Sequence, residues 1–163
     1  MYAEKYRRWF AYEKDSDAKV LASLQAVPDP LRVMPQYQKA VDLLAHLVAA
    51  RNMWLYRLGH GSKPPELFPL ETPLANLPKL LDEMESAWSS YFENLTDEEI
   101  ERVFEYQSYE GSRFRNTVDD VLTQLFGHSL YHRGQIAMIL RSIGAEPAPT
   151  DFIYWTREPL PDA

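Results

Sequence analysis

Four long stretches of this chain repeat apolar residues in steps of three and four, and proline-rich breaks separate them. The third stretch has the cleanest pattern. Leu74, Leu77, Leu81, Met84, Trp88, Tyr91 and Leu95 recur at helical spacing, so they share one side of a helix between Pro73 and Leu95. A helix with one apolar seam must bury it against other helices. The 163 residues, 45% of them hydrophobic, suffice for one core. The expected fold is therefore all-α, a four-helix bundle forming a single domain over residues 1–163.

The other three helices are read in the same way. The first spans about Tyr2 to Ala26, with Tyr6, Trp9, Phe10, Val20, Leu21 and Leu24 near one face. Its polar middle, Asp15-Ser16-Asp17, is a place where the helix could break. Three prolines between Pro28 and Pro35 mark a connector. The second helix runs from about Gln36 to Leu58 and ends at Gly59. The loop Gly59 to Thr72 follows. Between Thr96 and Asn116 the period changes. Thr96-Asp-Glu-Glu99 reads as a capped helical turn. Phe104, Tyr106 and Ser108 then alternate, and Glu110-Gly111 can turn the chain, which predicts a short β-hairpin before the last helix. The fourth helix starts at Thr117, with Asp119 and Asp120 in its first turn, and ends near Ile143. The apolar patch Phe152-Ile-Tyr-Trp155 near the end of the chain is expected to dock on the bundle.

Composition narrows the partners. Net charge is −7, and no run of Lys and Arg offers a phosphate-binding surface, so nucleic acid is not an expected partner. The chain has no cysteine, which excludes disulfides, thiolate metal sites and a cysteine nucleophile, and fits a cytoplasmic location. The N-terminal segment is too charged for a signal peptide. No apolar run approaches the roughly 18 residues of a membrane span.

The fourth helix carries His128-Ser-Leu-Tyr-His132. A four-residue step returns to the same helical face with Cβ atoms roughly 5–6 Å apart, close enough for two imidazoles to share one metal ion. Both histidines fall on a stripe with Val121, Leu125, Ile136, Ile139 and Ile143, so they are expected to face the core. His46 lies in the middle of the second helix, beside Leu43, Ala50 and Met53. The spacing leaves two readings open. The three are ordinary histidines, hydrogen-bonded or half exposed, or they form a facial three-histidine metal site. His60, in a Gly-His-Gly loop, is expected to be solvent-exposed and not a ligand.

Several alternatives fail on residue type. A zinc peptidase of the His-Glu-x-x-His kind needs glutamate where Ser129 stands. A di-iron bundle needs Glu-x-x-His pairs, but Leu43, Leu125 and Ser129 precede the three histidines by three. No Cys-x-x-Cys-His haem attachment motif is present. Three neutral imidazoles suit zinc, nickel, iron or copper, and ligand type does not choose among them. Gly127 and Gly134, inside the fourth helix, either make room beside a metal or admit a neighbouring helix. Trp54, Tyr131 and Arg133 lie near the ligands in sequence, the last two turned about 100° away from the histidines beside them, toward packing or an interface. Asp42, one turn before His46, is either a carboxylate supporting a ligand or a solvated surface group.

At His128-Ser-Leu-Tyr-His-Arg-Gly-Gln-Ile136 the sequence resembles the DinB-like (damage-inducible) family of bacterial four-helix metalloproteins. His46 followed by Trp54-Leu55-Tyr56-Arg57-Leu58-Gly59 fits the same family, as do Gly144 and Asp151-Phe152-Ile153-Tyr154. The resemblance implies an up-down-down-up bundle, one divalent metal on His46, His128 and His132, and a homodimer. Zinc or nickel is the expected metal, with iron or manganese as alternatives. It also implies a small-molecule substrate and metal-dependent chemistry, either S-transfer from a low-molecular-weight thiol or hydrolysis. A non-catalytic stress-response or binding bundle with a structural metal is the alternative.

Overall fold

A computed structural model describes residues 2–160. Helix α1 (Tyr2–Gln25) leads into a short turn, α2 (Asp29–Arg32), and then into α3 (Pro35–Arg57). Proline occupies the first turn of α3, where its missing N–H costs nothing. Gly59 just past that helix takes φ +95°, which a Cβ would oppose. A 3-10 turn over Leu74–Asn76 then feeds α4 (Leu77–Glu93). Helix α5 (Asp97–Glu101) starts at Thr96, whose hydroxyl accepts from the Glu99 N–H at 3.1 Å. Strands β1 (Val103–Gln107) and β2 (Arg113–Thr117) form the antiparallel hairpin, with Phe104 opposite Asn116 and Tyr106 opposite Phe114. Helix α6 (Val118–Ser142) follows without a gap. Thr117 and Asp120 cap it reciprocally: the Thr117 hydroxyl accepts from the Asp120 N–H, and the Asp120 carboxylate accepts from the Thr117 N–H. A last short helix, α7 (Phe152–Thr156), ends the described elements.

The four long helices α1, α3, α4 and α6 form an all-α bundle with up-down-down-up order. Tyr37 at the start of α3 donates to the Leu24 carbonyl at the end of α1, so these two run antiparallel. Trp88 donates to the Arg51 carbonyl, and the Asp42 carboxylate accepts from Thr72 just before α4, so α3 and α4 run parallel. Tyr6 donates to Asp119 and Tyr12 packs near Phe126, so α6 runs parallel to α1. Leu24, Leu44, Leu77 and Leu140 are fully buried between the helices. Each such side chain contributes about 1.5–3 kcal/mol.

Two expectations need correction. Helix α1 does not break at Asp15-Ser16-Asp17. It is continuous, and Ser16 and Asp17 are fully buried with Glu13. Arg51 on α3 bonds both Glu13 and Asp17. Arg133 on α6 takes both Glu13 oxygens, at 2.8 and 3.0 Å. Two carboxylates and two guanidiniums thus neutralise each other across three helices, and charge pairing replaces apolar packing at that level. Second, the buried residues of α6 are Val118, Val121, Leu122, Ser129, Arg133, Ile136 and Leu140, so of the expected stripe Val121 and Ile136 do face the core. His128 and His132 are half-buried at the edge of that face rather than in the core. The C-terminal patch docks as expected: Phe152 and Trp155 pack edge-on against Tyr12, whose hydroxyl donates to the Thr150 carbonyl.

Candidate metal centre

Helices α3 and α6 bring His46, His128 and His132 together. One ring nitrogen from each lies within 4.8 Å of the other two. The rings meet edge to face: 4.4 Å between the centroids of His128 and His132, 4.9 Å between His46 and His132, and 5.2 Å between His46 and His128. The Nε2 atoms of His128 and His132 are 3.0 Å apart. Tetrahedral zinc with Zn–N bonds near 2.0–2.1 Å would space two ligand nitrogens by about 3.3 Å. The two α6 rings therefore suit a shared ion.

The orientation of each ring has a cause. The His46 Nδ1–H donates to the Leu67 carbonyl at 2.7 Å, since a carbonyl can only accept. That leaves Nε2 with the free lone pair. The His132 Nδ1–H donates to the Gln135 side-chain oxygen at 2.7 Å, one turn along the same helix. Phe68 stacks on the His46 ring at 4.8 Å, nearly parallel. Burial, then His132 and His46, push the His128 pKa down to about 4. Burial also lowers that of His132, with the Gln135 bond opposing. Both imidazoles are neutral at pH 7 and can offer a lone pair to a metal.

The loop between α3 and α4 carries Leu67 and Phe68 onto His46. Asp42 holds that loop. Its carboxylate accepts from the backbone N–H groups of Glu71 (3.1 Å) and Thr72 (2.9 Å), and from Gln38. Asp42 is therefore neither of the two things expected: it bonds no histidine, and it is not merely solvated. His60 is exposed, with its ring edge on Tyr91, and stays outside the cluster. Tyr131 is exposed but its ring meets that of His132 at 5.0 Å. Gly127 and Gly134 both lie on the outer face of α6 with open space where a Cβ would stand, so they neither make room for a metal nor admit a helix of this chain. The Leu67 carbonyl and the Phe68 stack left no trace in the sequence, because they depend on where a loop folds back. Gln135 did leave one: it follows His132 by three, on the same face.

The histidines open on a cleft of about 360 Å³, bordered also by Ala50, Met53, Trp54, Arg57 and Gln124. Among the described residues no fourth His, Asp or Glu joins the histidine group, and the chain has no cysteine.

The DinB family model matches residues 1–160. The chain belongs to the DinB family. Within this family it is similar to Protein DinB of Bacillus subtilis strain 168, with 33% identity over 55 residues. That segment is 34% of this chain and 32% of the relative, so the match spans about a third of the curated relative's length. The fold is similar to that of a DinB-like protein from Bacillus cereus ATCC 10987, known from a crystal structure. The TM-score is 0.65 at 18% identity, over 90% of this chain and 95% of the other. At that identity the likeness concerns the fold alone. No described helix is long and apolar enough to cross a membrane.

Proposed function

We propose that this DinB-family chain is a metal-dependent enzyme acting on a small molecule, with one divalent ion on His46, His128 and His132. One observation carries the reading: three imidazoles converge within 4.8 Å at the wall of a cleft, with no fourth side chain in the group among the described residues. Structural zinc is usually closed by four protein ligands, whereas catalytic sites keep a position open. When bound, the ion would supply Lewis acidity, which favours the anionic form of a thiol or water at an open position. The chain's own residues do the rest. Leu67 and Gln135 fix the histidine tautomers, Phe68 covers the His46 ring, and the cleft admits the substrate.

The reaction class, S-transfer from a low-molecular-weight thiol or hydrolysis of a small electrophile, rests on the family resemblance. Zinc or nickel is the proposed metal, and the cytoplasm the proposed location. Elemental analysis of the purified protein and of His132→Ala tests the metal. The wild type should carry close to one equivalent and the variant far less; equal, near-zero metal in both sinks the reading. A screen of physiological thiols against a model electrophile, with zinc, nickel and manganese added separately, tests the chemistry. Turnover above the His132→Ala background is the expected result.

A further inference from the structure

Arg57 stands eleven residues after His46 on α3. Eleven residues make just over three helical turns, so the two rise from one face about 16–17 Å apart along the axis. Ala50, Met53 and Trp54 lie between them, and all five border the same cleft. One end of that cleft is the three-histidine cluster. The other end is a cation.

The state of that cation is unusual for this chain. Its guanidinium carbon sits 4.6 Å from the Trp54 ring centre and 5.0 Å from that of Tyr106. The two rings themselves meet at 5.1 Å, tilted by 68°. Both rings thus lie on one side of the guanidinium, and an aromatic ring is no conventional acceptor for its N–H donors. The Nε of Arg57 is buried and has no hydrogen-bond partner; the same holds for that of Arg133, but the terminal nitrogens of Arg133 are paired with Glu13. No carboxylate pairs with Arg57 among the described residues, and burial pulls its pKa down with only Tyr106 opposing. Every other buried or half-buried arginine is answered by acceptors: Arg51 and Arg133 by Glu13 and Asp17, Arg102 by Glu99, and Arg7 and Arg32 by carbonyls and nearby carboxylates. On its other side Arg57 borders a second cleft that contains Glu105, but that carboxylate pairs with Arg113.

A desolvated cation costs free energy unless an anion answers it. We propose that Arg57 is the anion-binding end of the three-histidine cleft, selecting substrates with a carboxylate or phosphate group remote from the reacting atom. The proposal rests on the reading of the histidines as the reaction centre, and it names the substrate class of that site. The guanidinium lies over the ring of Trp54, about one turn nearer the histidines than its own Cα. The anionic group therefore stands on the order of 10 Å from the atom presented to them. A flat five-donor fork resting against two rings fits a planar or tetrahedral oxyanion better than a point charge on a free stem does.

The test uses the metal-free protein, so that it does not depend on the metal. The Arg57 Nε–H resonance of ¹⁵N-labelled protein is assigned by its loss in Arg57→Met, which keeps an apolar stem over Trp54. Octanoate, octyl phosphate and neutral octanamide are titrated at pH 7. We expect one or both anions to shift the Arg57 resonance and to bind at least tenfold tighter than octanamide. Arg57→Met should bring the anions down to the octanamide level, and Arg57→Lys should restore part of the preference. The tighter anion tells carboxylate from phosphate. An unmoved resonance with equal affinities in the wild type overturns the proposal, and so does an Arg57→Met variant that weakens all three probes alike. The wild-type titration decides the matter if that variant does not fold. Metal content separates the two readings: Arg57→Met should retain the wild-type metal, which only the histidine variants lose.

Discussion

The Nδ1–H of His46 ends on the Leu67 carbonyl, and that of His132 on Gln135, so neither ring is free to exchange its nitrogens. Such supports commonly change metal affinity by about 10–100-fold when lost. Residue-level control of the same kind operates at the start of α6. There Asp120 accepts from the Thr117 N–H and from Asn116, which holds its carboxyl below the ordinary range. A depressed folded pKa means that the stabilisation is complete above the unfolded value. It is lost as pH falls through the folded one. Asp120→Asn should therefore cost about 0.3–1 kcal/mol at pH 7. By urea unfolding, the gap between variant and wild type should narrow as pH falls below the ordinary carboxylate range. A gap that is constant with pH would show that the carboxylate charge contributes nothing.

Among the elements, α1 teaches the most about what the sequence made legible. Tyr6, Glu13 and Val20 step by seven, as do Phe10, Asp17 and Leu24. Glu13 and Asp17 thus sit in the core seam, where a charge reads as an interruption unless its partner is known. Their partners, Arg51 and Arg133, lie 34 to 120 residues away, beyond the reach of local periodicity. The apolar seams, the caps at Thr96 and Thr117 and the period-two run Phe104–Ser108 depend on near neighbours. Those features could be read and were found. Removing one member of the cluster should be severe, because a buried carboxylate is left unanswered. Arg51→Met is expected to cost about 3–5 kcal/mol in urea unfolding. A loss under 1 kcal/mol would mean that water or the remaining arginine already satisfies Glu13 and Asp17.

For the whole molecule, the three-histidine cluster was legible because His128 and His132 share one face of α6 and His46 lies midway along α3. The half-buried depth of the site was not, because it depends on how far α6 rotates in the bundle. That rotation turns Ser129 and Arg133 inward. It leaves Gly127, Tyr131, Gly134 and Met138 as one outer stripe, with Tyr131 and Met138 largely exposed. This stripe supports the proposal of a homodimer packed along α6. Sedimentation should give a dimer for the wild type and a monomer for Met138→Glu, with helical content unchanged. A monomeric wild type at micromolar concentration refutes it.

The neutral cluster of Glu13, Asp17, Arg51 and Arg133 also bears on how such a chain can change by descent. A single neutral replacement strands a charge in the interior, so it is offset only by a matching change at another of the four. Two residues of α6 next to the histidines meet the cluster: Arg133, which belongs to it, and Ser129, which accepts from Arg51 at 2.7 Å. Side chains buried in the bundle thereby constrain what can stand beside His128 and His132 on α6.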